Sequence, residues 1–443
     1  MKRVLLYFTL FTAAALAADK VPAQQLFDMA RVAIKSPGFR EALIATASEA
    51  AIQKGAAFIG QGPEFLFAVE SAGVTPKLFI DELPGPVMTQ VPGSNLWIAR
   101  TQLRTGFSHS FYYTIDGKRF GGSYDVPAYG PDSYEQPGVP KGALSEKMIH
   151  KSKIYDGMES EYWVYVPAQY DASKPACLMV WQDGGGHVNR GSVARVQNVI
   201  DNLTFQGKIP VMISIFTNPG DISNAVGTPT YEFVSNFSKS TGRTLKDSMR
   251  STEYDTVSDR YVRFLRDELI EEVAKKYNLR KDAYSHAIWG SSSGGIAAFN
   301  AAWQMPSVFS RVLSQIGTFT SIQWQPGKME GGEILPFRVR KDEKRNIRVW
   351  LNDGSEDNES AHGSWPLQNI QMANSLKMRG YDFHFSFSPG THNGAHGGAR
   401  MPEALTWLWR DYDPSKTSQN YEQEESEKAK PLFRVKIYNR DAE

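Results

Sequence analysis

The sequence predicts an α/β domain with a mostly parallel sheet, preceded by a small all-β sandwich. Short runs rich in aromatic and β-branched residues, separated by glycine and proline, occupy residues 56–122. From about residue 150 to residue 411, apolar strand-like runs alternate with helical stretches, which is typical of a parallel sheet covered by helices on both faces. With 443 residues, the chain is long enough for two domains.

The N-terminus has the pattern of a cleaved export signal. Lys2 and Arg3 precede an apolar run at residues 4–16, which is shorter than the roughly 18 to 20 residues needed to span a bilayer. Ala15-Leu16-Ala17 follows as a cleavage site. We therefore expect residues 1–17 to be removed, and the mature chain to be periplasmic or extracellular without membrane insertion.

The remaining chain divides into five expected segments. Residues 18–55 are helical, with a break at Ser36-Pro37, and residues 56–122 form the β-sandwich. A Pro- and Gly-rich linker at 123–149 leads into the α/β domain at 150–411, and a polar tail, expected to be solvated and mobile, occupies 412–443. The strands expected in the α/β domain are residues 162–166, 177–182, 211–216, 286–289, 312–316, 347–351 and 383–387.

Composition excludes some classes of function. The 49 basic and 48 acidic side chains leave a formal charge of +1, which argues against a nucleic-acid partner. The single cysteine, Cys177, allows no internal disulfide, and its apolar neighbours predict a buried strand residue and not a nucleophile.

The strongest chemical motif is Gly290-Ser291-Ser292-Ser293-Gly294, between an expected strand and an expected helix. This G-x-S-x-G pattern places its central serine on a strained turn, where glycines two residues before and after avoid a steric clash. The spacing selects Ser292 as the nucleophile and the amide of Ser293 as one donor to an oxyanion.

A serine nucleophile needs a base oriented by an acid, and in this fold the chain order is serine, acid, histidine. His392, just after the last expected strand, is the predicted base, with His396 as the alternative. Asp357, in the loop after residues 347–351, is the predicted acid, with Glu356 as the alternative.

The glycines that follow residues 177–182 predict the rest of the oxyanion hole. In Asp183-Gly184-Gly185-Gly186-His187, the amides of Gly184 and Gly185 are the candidate donors, since no side chain blocks them. A metal site built from the histidines and acids of these loops is disfavoured, because the glycines around His392 and His396 predict no helix to give them a common face. No metal or other cofactor is expected.

With these residues in place, the chain resembles the esterase family that includes enterochelin esterase, esterase D, feruloyl and acetylxylan esterases and the mycolyltransferases. The resemblance covers residues 150–411 and implies an α/β-hydrolase fold. It rests on Asp183-Gly184-Gly185, the six residues from Gly290 to Gly295, the acid loop after Gly354 and Gly390-Thr391-His392. The β-rich segment is similar to early-set immunoglobulin-like modules, through residues 93–97 and 109–117. Gly184 to Gly186 and residues 362–365 depart from the plainer family patterns, so no particular substrate is implied.

The sequence therefore predicts a serine-dependent carboxylic ester hydrolase acting through an acyl-enzyme, on acylated carbohydrate, phenolic or siderophore esters. Candidate substrate-binding residues are His187, Trp365 and His396, and Trp181 and Trp324 are further aromatic candidates. Two other hypotheses remain open at this point: an acyltransferase on the same site, and a carbohydrate-binding protein with a decayed hydrolase domain. The sequence does not indicate an oligomeric state.

Overall fold

The structure is a computed structural model that describes residues 21–32, 38–221 and 245–436. The expected export signal and the break at Ser36-Pro37 lie outside the described residues. The chain divides into two compact units, residues 1–103 with 111–123, and residues 104–110 with 124–443.

The first unit combines helices with two antiparallel sheets. One four-stranded sheet has the order β1-β2-β6-β5 and the other β4-β3-β7-β8. The elements are α1 (Ala23–Val32), α2 (Phe39–Ala47), α3 (Glu49–Gln53), β1 (Ala57–Gln61), β2 (Glu64–Glu70), β3 (Lys77–Ile80), β4 (Leu83–Val87), β5 (Thr89–Gln90), β6 (Leu96–Gln102), β7 (Phe107–Ile115) and β8 (Lys118–Ala128).

Aromatic residues of β2 and β7 join the two sheets of this unit. The rings of Phe67 and Phe111 lie 5.0 Å apart, and the buried Tyr113 hydroxyl donates to the carbonyl of Ala68 at 2.9 Å. Both sheets thus contribute to one apolar interior, as the alternating aromatic pattern predicts.

The second unit is built on a nine-stranded sheet in the order β10-β11-β13-β12-β14-β15-β16-β19, with β9 paired to β11. The pairs from β13 to β19 are parallel, and those of β9, β10 and β11 are antiparallel. The strands are β9 (Ala143–Leu144), β10 (Met148–Lys151), β11 (Glu159–Val166), β12 (Cys177–Gln182), β13 (Met212–Thr217), β14 (His286–Ser291), β15 (Arg311–Gln315), β16 (Arg348–Gly354) and β19 (Asp382–Ser388), with a separate hairpin of β17 (Glu359–Ser360) and β18 (Gly363–Ser364). The α/β fold class and all seven expected strands are confirmed.

Helices cover both faces of this sheet, so its central strands β12, β13, β15 and β16 are buried along their whole length. The helices are α4 (Val196–Phe205), α5 (Leu245–Tyr254), α6 (Arg260–Phe264), α7 (Glu271–Ala274), α8 (Ser293–Gln304), α9 (Leu335–Lys341), α10 (Trp365–Met378), α11 (Gly394–Ala399), α12 (Met401–Trp409) and α13 (Glu425–Lys428). A π-helical turn, Leu265–Ile270, joins α6 to α7. None of the described helices combines the length and the apolar character that crossing a membrane requires.

Two expectations about the C-terminal part are wrong. The glycine-rich segment after His392 does form a helix, α11, because the side chain of Asn393 caps it by accepting the N–H of Ala395 at 2.8 Å. Gly397 lets this helix pack closely on its neighbour, since a β-carbon there would lie 2.2 Å from the side chain of Gln315.

The polar tail is not simply solvated. Tyr421 is 2% exposed, its hydroxyl pairs with that of Ser310 at 3.1 Å, and its ring packs under the guanidinium of Arg311. The hydrophilic, charged composition of the tail gave no indication of this aromatic contact.

Candidate active site

Ser292 occupies the sharp turn between β14 and α8. Its backbone is in a strained conformation, with φ 59° and ψ −124°, and its N–H donates to the carbonyl of Gln315 at 2.9 Å. A β-carbon on Gly290 would lie 1.8 Å from the carbonyl oxygen of Gly294, so only glycine fits there. The turn therefore has the geometry that the G-x-S-x-G spacing predicts.

The side chains of Ser292, His392 and Asp357 form one continuous hydrogen-bonded chain. Ser292 Oγ lies 2.7 Å from His392 Nε2, and His392 Nδ1 lies 2.6 Å from Asp357 Oδ1. The three residues follow β14, β19 and β16, whose carboxyl ends meet at one edge of the sheet. In this arrangement an imidazole can remove the serine proton, while a carboxylate holds the imidazole in the orientation that this requires.

The carboxyl group of Asp357 is suited to remain an anion. Burial by itself raises its pKa, but the hydrogen bond and charge of His392, together with the N–H of Asn358 at 2.5 Å, lower the pKa below its usual value. Its side chain is fully buried, whereas the alternative, Glu356, is exposed and its carboxylate accepts the neighbouring hydroxyl of Ser355. The structure thus brings Asp357, and not Glu356, to the imidazole.

The glycine loop after β12 forms a short 3-10 turn, Gly184–His187. A β-carbon on Gly184 would lie 2.2 Å from the backbone of Phe216, so this glycine permits close packing on β13. The amide of Gly185 donates to Asn218 Oδ1 at 2.8 Å, so this candidate oxyanion donor is already engaged. Ser293 opens α8, and its amide therefore has no acceptor within the helix.

Two residues outside the predicted triad, Thr318 and Trp365, contact its side chains. Thr318 Oγ1 lies 3.3 Å from Ser292 Oγ and accepts the indole N–H of Trp365 at 3.1 Å. The ring of Trp365 stands edge-on to that of His392, with centroids 5.7 Å apart. Trp365 was a sequence candidate for substrate binding, and Thr318 was missed because no motif contains it.

Residues 157–408, more than half of the chain, match the esterase family, whose description is "Putative esterase". The chain belongs to this family. The match spans the second unit from just before β11 to α12, and so includes every residue of the hydrogen-bonded chain.

Individual esterases are more distantly similar. The iron(III) enterobactin esterase of Dickeya dadantii is 25% identical over 171 residues, 35% of this chain and 37% of that protein, so the matched part spans little more than a third of that relative. The solved enterochelin esterase of Shigella flexneri is 16% identical, with 83% of this chain and 99% of that chain covered and a TM-score of 0.49. A ferulic acid esterase from the anaerobic fungus Anaeromyces mucronatus is 15% identical, with 65% and 96% covered and a TM-score of 0.44.

Three candidate ligand-binding residues of this esterase are buried and unsuited to that role. His187 is 5% exposed and packs against the rings of Trp181 and Trp289, and burial lowers its pKa to about 4. Trp181 is itself in the core. His396 lies in α11 and hydrogen-bonds Ser388. Sequence spacing placed them near the site, but their side chains point into the protein.

An ion pair fixes the start of the glycine loop. The guanidinium of Arg250, on α5, donates from Nε and from a terminal nitrogen to the two carboxylate oxygens of Asp183, at 2.8 and 2.7 Å. Asp183 has a positive φ of 51°, and it also lies against α8, since a β-carbon on Gly294 would be 3.3 Å from its carboxylate. Arg250 therefore holds the residue at which the glycine loop begins.

Buried acids lie beside this ion pair. Glu253 is 2% exposed and accepts the N–H of Gly220 at 2.7 Å, and burial raises its pKa to about 8. Burial likewise raises the pKa of Asp255 to about 6. Among the described residues, no group of three or more His, Cys, Asp or Glu side chains is placed to bind a metal ion.

Proposed function

We propose that this protein is a carboxylic ester hydrolase that forms an acyl-enzyme on Ser292. The observation that supports this most is the pair of short hydrogen bonds that connects Ser292 Oγ, through His392, to Asp357 Oδ1. Membership of the esterase family supports the same reaction class. No cofactor is needed for this chemistry.

In the proposed reaction, His392 Nε2 removes the hydroxyl proton as Ser292 Oγ attacks the ester carbonyl. The buried Asp357 carboxylate stabilises the imidazolium that forms. The amides of Ser293 and Gly184 then donate to the oxyanion, since the Gly185 amide is engaged by Asn218. His392 returns the proton to the leaving alcohol, and water releases the acyl group by the same steps.

For the substrate, we propose an acylated carbohydrate, phenolic or siderophore ester. Trp365 lies beside His392, but it is 6% exposed and its indole N–H is bound to Thr318, so its ring packs on the imidazole and presents little surface to a substrate. Trp324 is 53% exposed on the loop that follows β15, and the Ser321 N–H ties this loop to the carbonyl of His362 at 2.9 Å. Indole rings favour stacking on sugar faces and phenolic rings.

The test is a panel of p-nitrophenyl acyl esters, feruloyl esters and acetylated sugars, offered to the wild type, S292A and the neighbouring control S291A. We expect S292A to lose more than roughly a thousandfold in kcat and S291A to retain most activity, because loss of a triad member removes the covalent route. Equal rates for the wild type and S292A would refute the proposal. Product formed with an added alcohol in preference to water would reassign the protein as an acyltransferase.

We also propose that residues 1–17 direct export and that residues 56–122 form an accessory module like the early-set immunoglobulin domains. The two four-stranded antiparallel sheets of the first unit support an accessory β module. N-terminal sequencing of the protein from its native host tests the export proposal. We expect the mature chain to begin at Ala18.

A further inference from the structure

The proposed mechanism leaves one buried carboxyl group beside the site without a role. Asp353 is the penultimate residue of β16, four residues before Asp357, and it is completely buried. Its Oδ1 accepts the N–H of Gly354 at 2.8 Å. A buried carboxyl group with one backbone donor is costly unless its second oxygen is also satisfied.

The second oxygens of Asp353 and Asp357 share the same unusual situation. Oδ1 of Asp357 receives both His392 Nδ1 and the N–H of Asn358, whereas Oδ2 of each aspartate is buried and has no N–H or hydroxyl donor in the part of the chain that the structure describes. The two carboxyl groups nevertheless act on each other as hydrogen-bond partners, since the side chain of each one shifts the pKa of the other. Two carboxyl oxygens form a hydrogen bond only if one of them carries a proton.

The environment places this proton on Asp353. Burial, and then the hydrogen bond and negative charge of Asp357, raise the pKa of Asp353 well above its usual range. The pKa of Asp357 is lowered, because His392 and Asp353 outweigh the effect of burial. The negative charge of Asp357 also acts on a second histidine besides His392, the buried His396.

Asn369 of α10 is the other side chain in contact with Asp353. Its amide nitrogen donates to the carbonyls of Gly317 and Trp365 at 2.9 and 3.1 Å, and its oxygen, which is buried without a donor among the described residues, is the alternative acceptor for a proton on Asp353. An ionised carboxylate is a stronger acceptor than a neutral amide oxygen. The proton of Asp353 therefore points to Asp357.

We propose that Asp353 is a protonated carboxylic acid that donates to Asp357 Oδ2 and positions the triad acid, so that Oδ1 faces His392 and the pair carries a single negative charge. Asp353 is a positioning residue, because it acts through Asp357 and does not touch the reacting atoms. The inference rests on the proposed triad and adds a fourth member to it.

The kinetic test compares D353A and D353N, with S292A as the reference. We expect D353A to lower kcat roughly 10- to 100-fold with little change in KM, since a misplaced catalytic group costs about this much. The acid limb of the kcat/KM profile should move to higher pH, because a carboxylate that loses a donor attracts the imidazole proton more strongly. D353N still has an N–H to donate, so it should stay within about fivefold of the wild type with the acid limb in place.

Thermal unfolding of each variant separates positioning from folding. The proposal is overturned if folded D353A keeps the wild-type kcat and pH profile, or if folded D353N is as impaired as D353A. An inactive S292A together with a fully active D353A would disprove only the proposed role of Asp353. An active S292A would disprove the proposed triad itself.

Infrared difference spectroscopy supplies a readout that does not depend on D353A folding. The wild type minus D353N spectrum at neutral pH should contain the carbonyl stretch of a protonated, hydrogen-bonded carboxylic acid. If this spectrum contains only carboxylate bands, Asp353 is ionised and the proposal is wrong.

Discussion

The hydroxyl oxygens of Ser292 and Thr318 lie 3.3 Å apart, and Thr318 Oγ1 is at the same time the acceptor for the indole N–H of Trp365. Because that N–H occupies one lone pair, the Thr318 hydroxyl hydrogen is available to Ser292 Oγ. The Thr318 N–H also donates to the carbonyl of Ser292 at 3.1 Å. Thr318 thus holds both the backbone and the side chain of the proposed nucleophile.

Replacing Thr318 tests this contact. T318V keeps the shape but removes the hydroxyl, and we expect kcat/KM for a p-nitrophenyl ester to fall about 3- to 10-fold, the value of one hydrogen bond. T318S keeps the hydroxyl and should lie within about twofold of the wild type. If T318V is as active as T318S, the contact does not contribute to the reaction.

The glycine loop allows a matched pair of substitutions. A β-carbon on Gly184 would lie 2.2 Å from the backbone of Phe216, whereas one on Gly186 would meet no atom within 4 Å. We expect G184A to lower the unfolding free energy by about 1–3 kcal/mol and to reduce kcat, because the loop must move away from β13. G186A should unfold like the wild type in denaturant titrations, and a G184A protein of unchanged stability and activity would contradict the close packing.

The buried Glu253 predicts a pH dependence of stability. Its pKa is about 8 in the folded protein, against an ordinary value of 4.5, so between these pH values the folded state holds a proton that the unfolded state releases. Raising the pH through this window therefore favours unfolding, by at most about 1.4 kcal/mol for each pH unit. Below pH 4.5 Glu253 is protonated in both the folded and the unfolded state, so this group no longer makes the stability depend on pH.

E253Q removes this titration and should raise Tm more at pH 8 than at pH 5, so that its Tm varies less with pH than that of the wild type. The exposed Glu271 provides the control, since E271Q should follow the wild type at every pH. Parallel Tm curves for E253Q and the wild type between pH 5 and pH 8 would show that Glu253 does not carry the extra proton.

The sequence predicted the parts of the site that depend on strand order and on local turns. Each strand of the parallel sheet was readable from its apolar run, and in such a sheet the loops after β14, β16 and β19 must meet at one edge. The choice of Ser292 followed from glycine spacing alone, because the steric demand of the turn is local.

The features that the sequence did not reveal depend on tertiary burial. His187 and Trp181 lie within a few residues of the candidate oxyanion glycines, yet their side chains point into the core. Nothing in the local sequence pattern distinguishes these buried side chains from exposed ones. Thr318, in the loop after β15, and Arg250, on α5, reach the site through contacts across 26 and 67 residues of chain. Such pairs become visible only when the elements are packed.

The assignment of Ser292 as the nucleophile is tested most directly by mapping the adduct of a fluorophosphonate probe on the protein by tandem mass spectrometry. The probe reacts only with a serine that a neighbouring base activates, so the account predicts a single adduct on Ser292, none in S292A and greatly slowed labelling in H392A. An adduct on Ser291 or Ser293, or labelling of S292A at the wild-type rate, would contradict it.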